Sequence, residues 1–227
     1  MCGIAGYINW NNRNIDCGYV VEQMLSLMQY RGPDDSGIYE SKSLAIGMNR
    51  LRIIDKIGYA VPYISTSKQS VLAYNGEVYN HDSLRNRLPN LKFKTNSDAE
   101  SILEDIEHFG LKHLREYNGM YSFAFYDKGE SKLYLVRDKA GEKPLYYYQN
   151  NEIFCFASEI KALLPLNEID NKIVLTNAYQ SYEFTVGRET LIDGVQQLLP
   201  GEYLELDLLK QEATVHKYFE LRDELIE

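Results

Sequence analysis

Two pairs of short apolar segments, each closed by a tight polar link, constrain this chain more than any other feature. "GMYSFAFYD" and "SKLYLVRD" are separated by a short loop holding Gly129, and "KPLYYYQ" and "EIFCFAS" repeat the pattern. Strand-length runs joined by so few residues pair as hairpins, so the sheets they build are antiparallel. "GIAGYINW", "SLAIGMNRLRIID", "SVLAYNGEVYN" and "EYLELDL" read as further strands, with a loop from the second of these to about residue 69. In "CGYVVEQMLSLMQY", Val20, Val21, Met24, Leu25, Leu27 and Met28 recur at helical spacing. "SDAESILEDIEHFG" has a capping-box start, Ser97 with Glu100, and a glycine stop at Gly110. "EIKALL" and residues 176–182 read as two more helices, and "RGPDDSG" as a loop through Gly32, Pro33, Asp34 and Asp35. The expected class is α+β, two packed, mainly antiparallel sheets with helices outside. From about residue 209 the pattern decays into an acidic tail or linker.

At 227 residues the chain can bury a sizeable core as one domain with a tail. A net charge of −9 argues against nucleic acid and against anionic membrane surfaces as partners. No run reaches the roughly 18 apolar residues of a membrane span, and the opening segment lacks the basic flank of a signal peptide. Three scattered cysteines, Cys2, Cys17 and Cys155, make no disulfide framework and fit a reducing, cytoplasmic setting.

The reactive candidates begin at Cys2. If Met1 is removed, the thiol shares its residue with a free α-amine of pKa roughly 7.7–8.0, which can take the thiol proton without a histidine. The bland alternative is a buried first-strand cysteine. Asn75 and Gly76 offer a carboxamide N–H and an unhindered backbone N–H to one oxygen, or else form an Asn-Gly turn. Arg50, inside an apolar strand, needs a carboxylate from protein or ligand. Asp98 at a helix start can hold an ammonium group or simply complement the helix dipole. His108 and His113 read as exposed rather than metal-binding, "EDIE" as a solvated acidic face, Cys17 as packing at a helix start, and Cys155 as inert core.

"MCGIAGY", "RGPDDSG", "NRLRIID", "NGEVYNH", "NSDAES", "MYSFAFYD", "LYLVRDKAGEKPLYYY" and "FASEIKALL" occur in an order and spacing that resembles class II glutamine amidotransferases, the N-terminal-nucleophile glutaminase domains of asparagine synthetases. The resemblance covers about residues 2–208 and implies a four-layer αββα sandwich. It implies that Cys2 attacks the side-chain amide of glutamine with its own α-amine as base, and that Asn75 and Gly76 form the oxyanion hole. Arg50 would bind the substrate α-carboxylate and Asp98 its α-ammonium, with Glu77 beside it. Leu51, Ile53 and Ile54 would line the pocket, and Arg31, Gly32, Pro33 and Asp34 would form a loop closing over it. The products would be glutamate and ammonia, with no cofactor and no metal. The family's usual pattern has a larger apolar residue at Ala140 and often an acid at Asn49.

An asparagine synthetase also carries an ATP-pyrophosphatase domain with a Ser-Gly-Gly phosphate loop, which these residues lack. The expected organisation is a glutaminase domain over residues 1–208 and a tail or linker, 209–227, toward an absent synthetase domain or subunit that uses the ammonia; a homodimer is left open. Two other readings stand beside this one: a non-catalytic docking or glutamine-sensing module, and an N-terminal-nucleophile hydrolase for another amide.

Overall fold

The computed structural model describes residues 1–11, 14–52, 59–174, 179–180, 183 and 185–224. Twelve strands form two six-stranded antiparallel sheets. The first sheet holds β1 (Gly3–Asn9), β2 (Asp35–Ser41), β3 (Leu44–Arg50), β8 (Tyr146–Gln149), β9 (Ile153–Ala157) and β10 (Gln196–Gln197), in the order β10-β8-β9-β1-β3-β2. The second holds β4 (Tyr63–Ile64), β5 (Ser70–Val78), β6 (Gly119–Asp127), β7 (Lys132–Arg137), β11 (Glu202–Asp207) and β12 (Glu212–Lys217), in the order β12-β11-β7-β6-β5-β4.

Alternation along the first sheet sorts its side chains into two cores. Ile4 and Ile8 of β1, Leu44, Ile46 and Met48 of β3, and Phe154 and Phe156 of β9 join the core shared with the second sheet. Ala5, Tyr7, Ala45, Ile153, Cys155 and Ala157 turn the other way, toward helix α1 (Cys17–Ser26). Asp16 caps α1 by accepting from the Tyr19 N–H at 2.8 Å, and Val21, Met24, Leu25 and Met28 form its buried stripe. A Cβ at Gly47 would come within 2.6 Å of Leu25 and 2.7 Å of Val21, so the bare glycine sets how closely the helix lies on the sheet. Beyond the second sheet lie α2 (His81–Arg85) and α3 (Asp98–Phe109). The expected αββα sandwich is the one formed, and among the described residues no helix is long and apolar enough to cross a membrane.

Several local expectations change. "RGPDDSG" is not all loop: β2 starts at Asp35, and its half-exposed side chains give it no apolar signature. Residues 212–217 are not a tail but strand β12, paired with β11 along its whole length. The strand through "SLAIGMNRLRIID" ends at Arg50; Ile53, Ile54 and most of the helix expected at 176–182 lie outside the described residues. The capping box is divided. Ser97 accepts from the Ala99 N–H at 3.2 Å, while Glu100 reaches back past it to the Lys94 and Thr95 N–H groups. "EDIE" is no solvated face either: Glu104 and Asp105 are buried, Glu104 accepting from the Thr66 N–H at 2.7 Å and Asp105 from the Tyr117 hydroxyl at 2.8 Å.

Candidate active site

The start of β1 is fixed at several points. The Ile4 N–H donates to Ser158 Oγ at 3.0 Å and the Ser158 N–H returns to the Ile4 carbonyl at 2.9 Å, extending the β1–β9 ladder toward Cys2. Arg31 Nε donates to the Cys2 carbonyl at 2.8 Å, and the same guanidinium donates to Glu159 at 2.6 Å. Cys2 therefore sits on a clamped backbone with its Sγ 4.0 Å from the Leu51 carbonyl. Burial pushes its thiol pKa up, against the pull of the N-terminal ammonium and Arg50, so the group rests protonated at neutral pH. A buried, protonated thiol needs a base before it can attack. None of the four histidines lines the hollow around it.

The ends of β3 and β5 and the start of α3 meet at that hollow. There the structure brings Cys2 together with Arg50, Leu51, Asn75, Gly76, Glu77 and Asp98. Asn75 is 1% exposed, and its Nδ2 has no hydrogen-bond partner among the described residues. An orphaned buried donor costs about 1–3 kcal/mol, so a fold that keeps one beside a thiol holds it ready for an acceptor that arrives. At Gly76 a Cβ would lie 2.6 Å from Tyr121 Cα, so the close β5–β6 approach there requires glycine.

Asp98 Oδ2 accepts from the Tyr74 hydroxyl at 2.5 Å and the Val78 N–H at 2.9 Å, while Oδ1 has only Ser97 Oγ at 3.5 Å. Burial, then the Asp98 charge, raises the Tyr74 pKa far above the ordinary phenol, so Tyr74 stays a donor to Asp98. Arg50 is 4% exposed, stacks 5.7 Å from the Tyr63 ring centroid and lies 3.9 Å from the Asp35 carboxylate. A guanidinium and a carboxylate that line one hollow can grip a small zwitterion by its two charged ends.

The residues expected to close over the site do not line the hollow itself. Arg31 is buried beneath Cys2, where it holds the backbone, and Gly32, Pro33 and Asp34 line a separate hollow beside α1 and β2. Asp34 there accepts from the Arg52 N–H at 2.8 Å. Ala140 is exposed on its turn and lines no part of the site. Asn49 is buried beside Arg50, its Nδ2 donating to the Leu25 carbonyl at 2.7 Å and its Oδ1 accepting from Ser36 at 2.8 Å, so it ties β3 to both α1 and β2. Cys17 is pushed up to about 11 by burial, which removes any raised thiolate fraction. Sequence reading missed Tyr63, Tyr74, Lys143 and Glu159. Lys143 reaches the hollow because Asp138 gathers the N–H groups of Ala140, Glu142 and Lys143 at 3.0, 2.9 and 2.9 Å, and its Nζ lies 3.6 Å from Met1 Sδ.

The same backbone arrangement recurs in solved structures. A glutamine phosphoribosylpyrophosphate amidotransferase from B. subtilis overlays 96% of this chain and 49% of its own at a TM-score of 0.65 and 19% identity. An allosteric regulatory enzyme of purine biosynthesis gives 0.70 at the same coverage and identity. These likenesses define the fold. In sequence, asparagine synthetase [glutamine-hydrolyzing] 2 of Bacillus subtilis is 33% identical over 100% of this chain and 32% of its own length. Asparagine synthetase B [glutamine-hydrolyzing] of Escherichia coli is 37% identical over 73% of this chain and 30% of its own. The chain belongs to the glutamine amidotransferase domain family, which it matches over residues 1–219. It spans about a third of the length of these two relatives.

Proposed function

We propose that this domain hydrolyses the side-chain amide of glutamine through a Cys2 thioester. The observation that carries the reading is the orphaned Asn75 amide beside a half-buried thiol with no histidine at hand. While Met1 is attached, the Cys2 nitrogen is an amide and cannot serve as base, so its removal comes first. The freed α-amine takes the thiol proton as Sγ bonds to the amide carbon. Asn75 Nδ2 and the Gly76 N–H receive the oxyanion, Arg50 the α-carboxylate and Asp98 the α-ammonium, with Glu77 beside it. The protonated α-amine then gives its proton to the departing nitrogen as the C–N bond breaks, and ammonia leaves. Water attacks the thioester, glutamate forms and the thiol is regained.

The names of the relatives suggest where the ammonia goes: to a synthetase domain outside these 227 residues, with aspartate as acceptor. A reducing, cytoplasmic setting would keep the Cys2 thiol free. Glutamate release from glutamine by purified protein tests the reading. Intact mass one methionine short, with release abolished in Cys2→Ala, supports it. Removing one oxyanion donor in Asn75→Ala is expected to lower kcat about 10²–10³-fold with little change in KM. Normal turnover by Cys2→Ala would sink the mechanism.

A further inference from the structure

The far end of α3, away from Asp98, carries a second group of ligand-bearing side chains. Glu104, Glu107 and His108 stand at i, i+3 and i+4, one face of a helix, and one ligand atom from each lies within 4.8 Å of the others. Glu104 is 1% exposed, and its Oε1 is occupied by the Thr66 N–H at 2.7 Å. Its Oε2 and the Oε2 of Glu107 are both buried and have no hydrogen-bond partner among the described residues. His108 Nδ1 lies 3.9 Å from Glu104 Oε2, beyond hydrogen-bond reach, and its side chain is 41% exposed. Two orphaned carboxylate oxygens converging below a half-exposed imidazole form a negative cup open to solvent through the ring.

We propose that Glu104, Glu107 and His108 form a binding site for a first-row divalent cation. Two carboxylate oxygens and one imidazole nitrogen suit Mn²⁺, Fe²⁺ or Zn²⁺, whereas Ca²⁺ asks for six to eight oxygens. Around such an ion neighbouring ligands stand about 3 Å apart, so the three must close in. Glu107 and His108 are less buried than Glu104, so the inward movement would fall to them. His108 would exchange its present hydrogen bond to the Glu104 carbonyl, 2.8 Å from Nδ1, for the metal. Hydrogen bonds from Ser65, Ser70 and Ser67 also reach the Glu107 carboxyl. Those serines and Thr66 belong to the β4–β5 turn, so a bound ion would fasten α3 to that turn.

The test uses the whole chain, Mn²⁺ (a poor thiol binder) and Zn²⁺, and reads binding by calorimetry and Tm, neither of which depends on glutamine turnover. The expected result is one Mn²⁺ per chain, a Tm that rises with Mn²⁺ concentration, and affinity reduced at least tenfold in both His108→Ala and Glu104→Gln. Cys2→Ala should bind Mn²⁺ as the wild type does. A wild-type protein that takes up no Mn²⁺ or Zn²⁺ at 1:1 overturns the proposal. So does a His108→Ala variant that folds, by circular dichroism, and binds with unchanged affinity.

Discussion

Arg31 acts on Cys2 through the backbone, and that distinguishes it from the residues that face the hollow. One guanidinium edge holds the Cys2 carbonyl at 2.8 Å and another holds Glu159 at 2.6 Å. Burial works against the Glu159 charge, but hydrogen bonds from Tyr30, Arg31 and Lys161 override it and keep the carboxyl below the usual range, so the clamp stays charged at neutral pH. Lysine has the charge but not the planar fork, and cannot serve both partners in one geometry. Arg31→Lys is therefore expected to lower kcat for glutamate release roughly 10–100-fold with KM nearly unchanged, because a small displacement of the nucleophile is felt in the chemical step rather than in binding. Glu159→Gln, which loosens the clamp without removing it, should show a smaller loss in the same direction. A rise in KM at constant kcat in either variant would place Arg31 in substrate binding instead.

At the scale of elements, β5 joins fold to site: it lies between β6 and β4 in its sheet and carries Asn75, Gly76 and Glu77 near its end. Its pairing with β6 sets Gly76 opposite Tyr121, where an added Cβ would lie 2.6 Å from Tyr121 Cα and 2.7 Å from its Cβ. Gly76→Ala must push the two strands apart beside the hollow that holds Cys2. Urea unfolding should show a loss of about 1–3 kcal/mol, accompanied by loss of glutamate release. An alanine variant of wild-type stability would show that the strands separate freely there. This element was legible in sequence because its apolar run and Asn-Gly pair are local signals. Strands β2 and β12 were not, since their side chains are half exposed and their identity as strands comes from the partner they lie against. The acids of α3 misled for the same reason: Glu104 and Asp105 accept hydrogen bonds from Thr66 and from Tyr117, 38 and 12 residues away in the chain. In the site, Cys2, Arg50, Asn75, Gly76 and Asp98 could be read from residue type and motif order. Tyr74 and Glu159 could not, because what marks them is a contact with Asp98 or Arg31 that only the folded chain makes.

Across the whole molecule the 19 tyrosines set a limit on stability that no single site imposes. Tyr74 and Tyr117 are buried with their hydroxyls on Asp98 and Asp105, and burial, then the adjoining carboxylate, raises both far above the ordinary phenol. Burial also lifts Tyr63 and Tyr134 to about 12, and raises Tyr7, Tyr121 and Tyr218 further. The native chain thus keeps these protons at pH values where the unfolded chain, with phenols near 10, has lost them. The unfolded state then binds fewer protons, so unfolding free energy falls as pH rises. This contribution is complete below pH 10 and is lost progressively from there to pH 12 and above. Each ionisation also adds to a net charge already at −9, so self-repulsion acts in the same direction. The expected outcome is a cooperative alkaline unfolding in which loss of far-UV circular dichroism coincides with a late step in tyrosinate absorbance above pH 10. A single absorbance step near pH 10 with the dichroism intact would mean that water reaches the phenols between the sheets, and that the two-sheet core is far looser than its buried aromatic rings require.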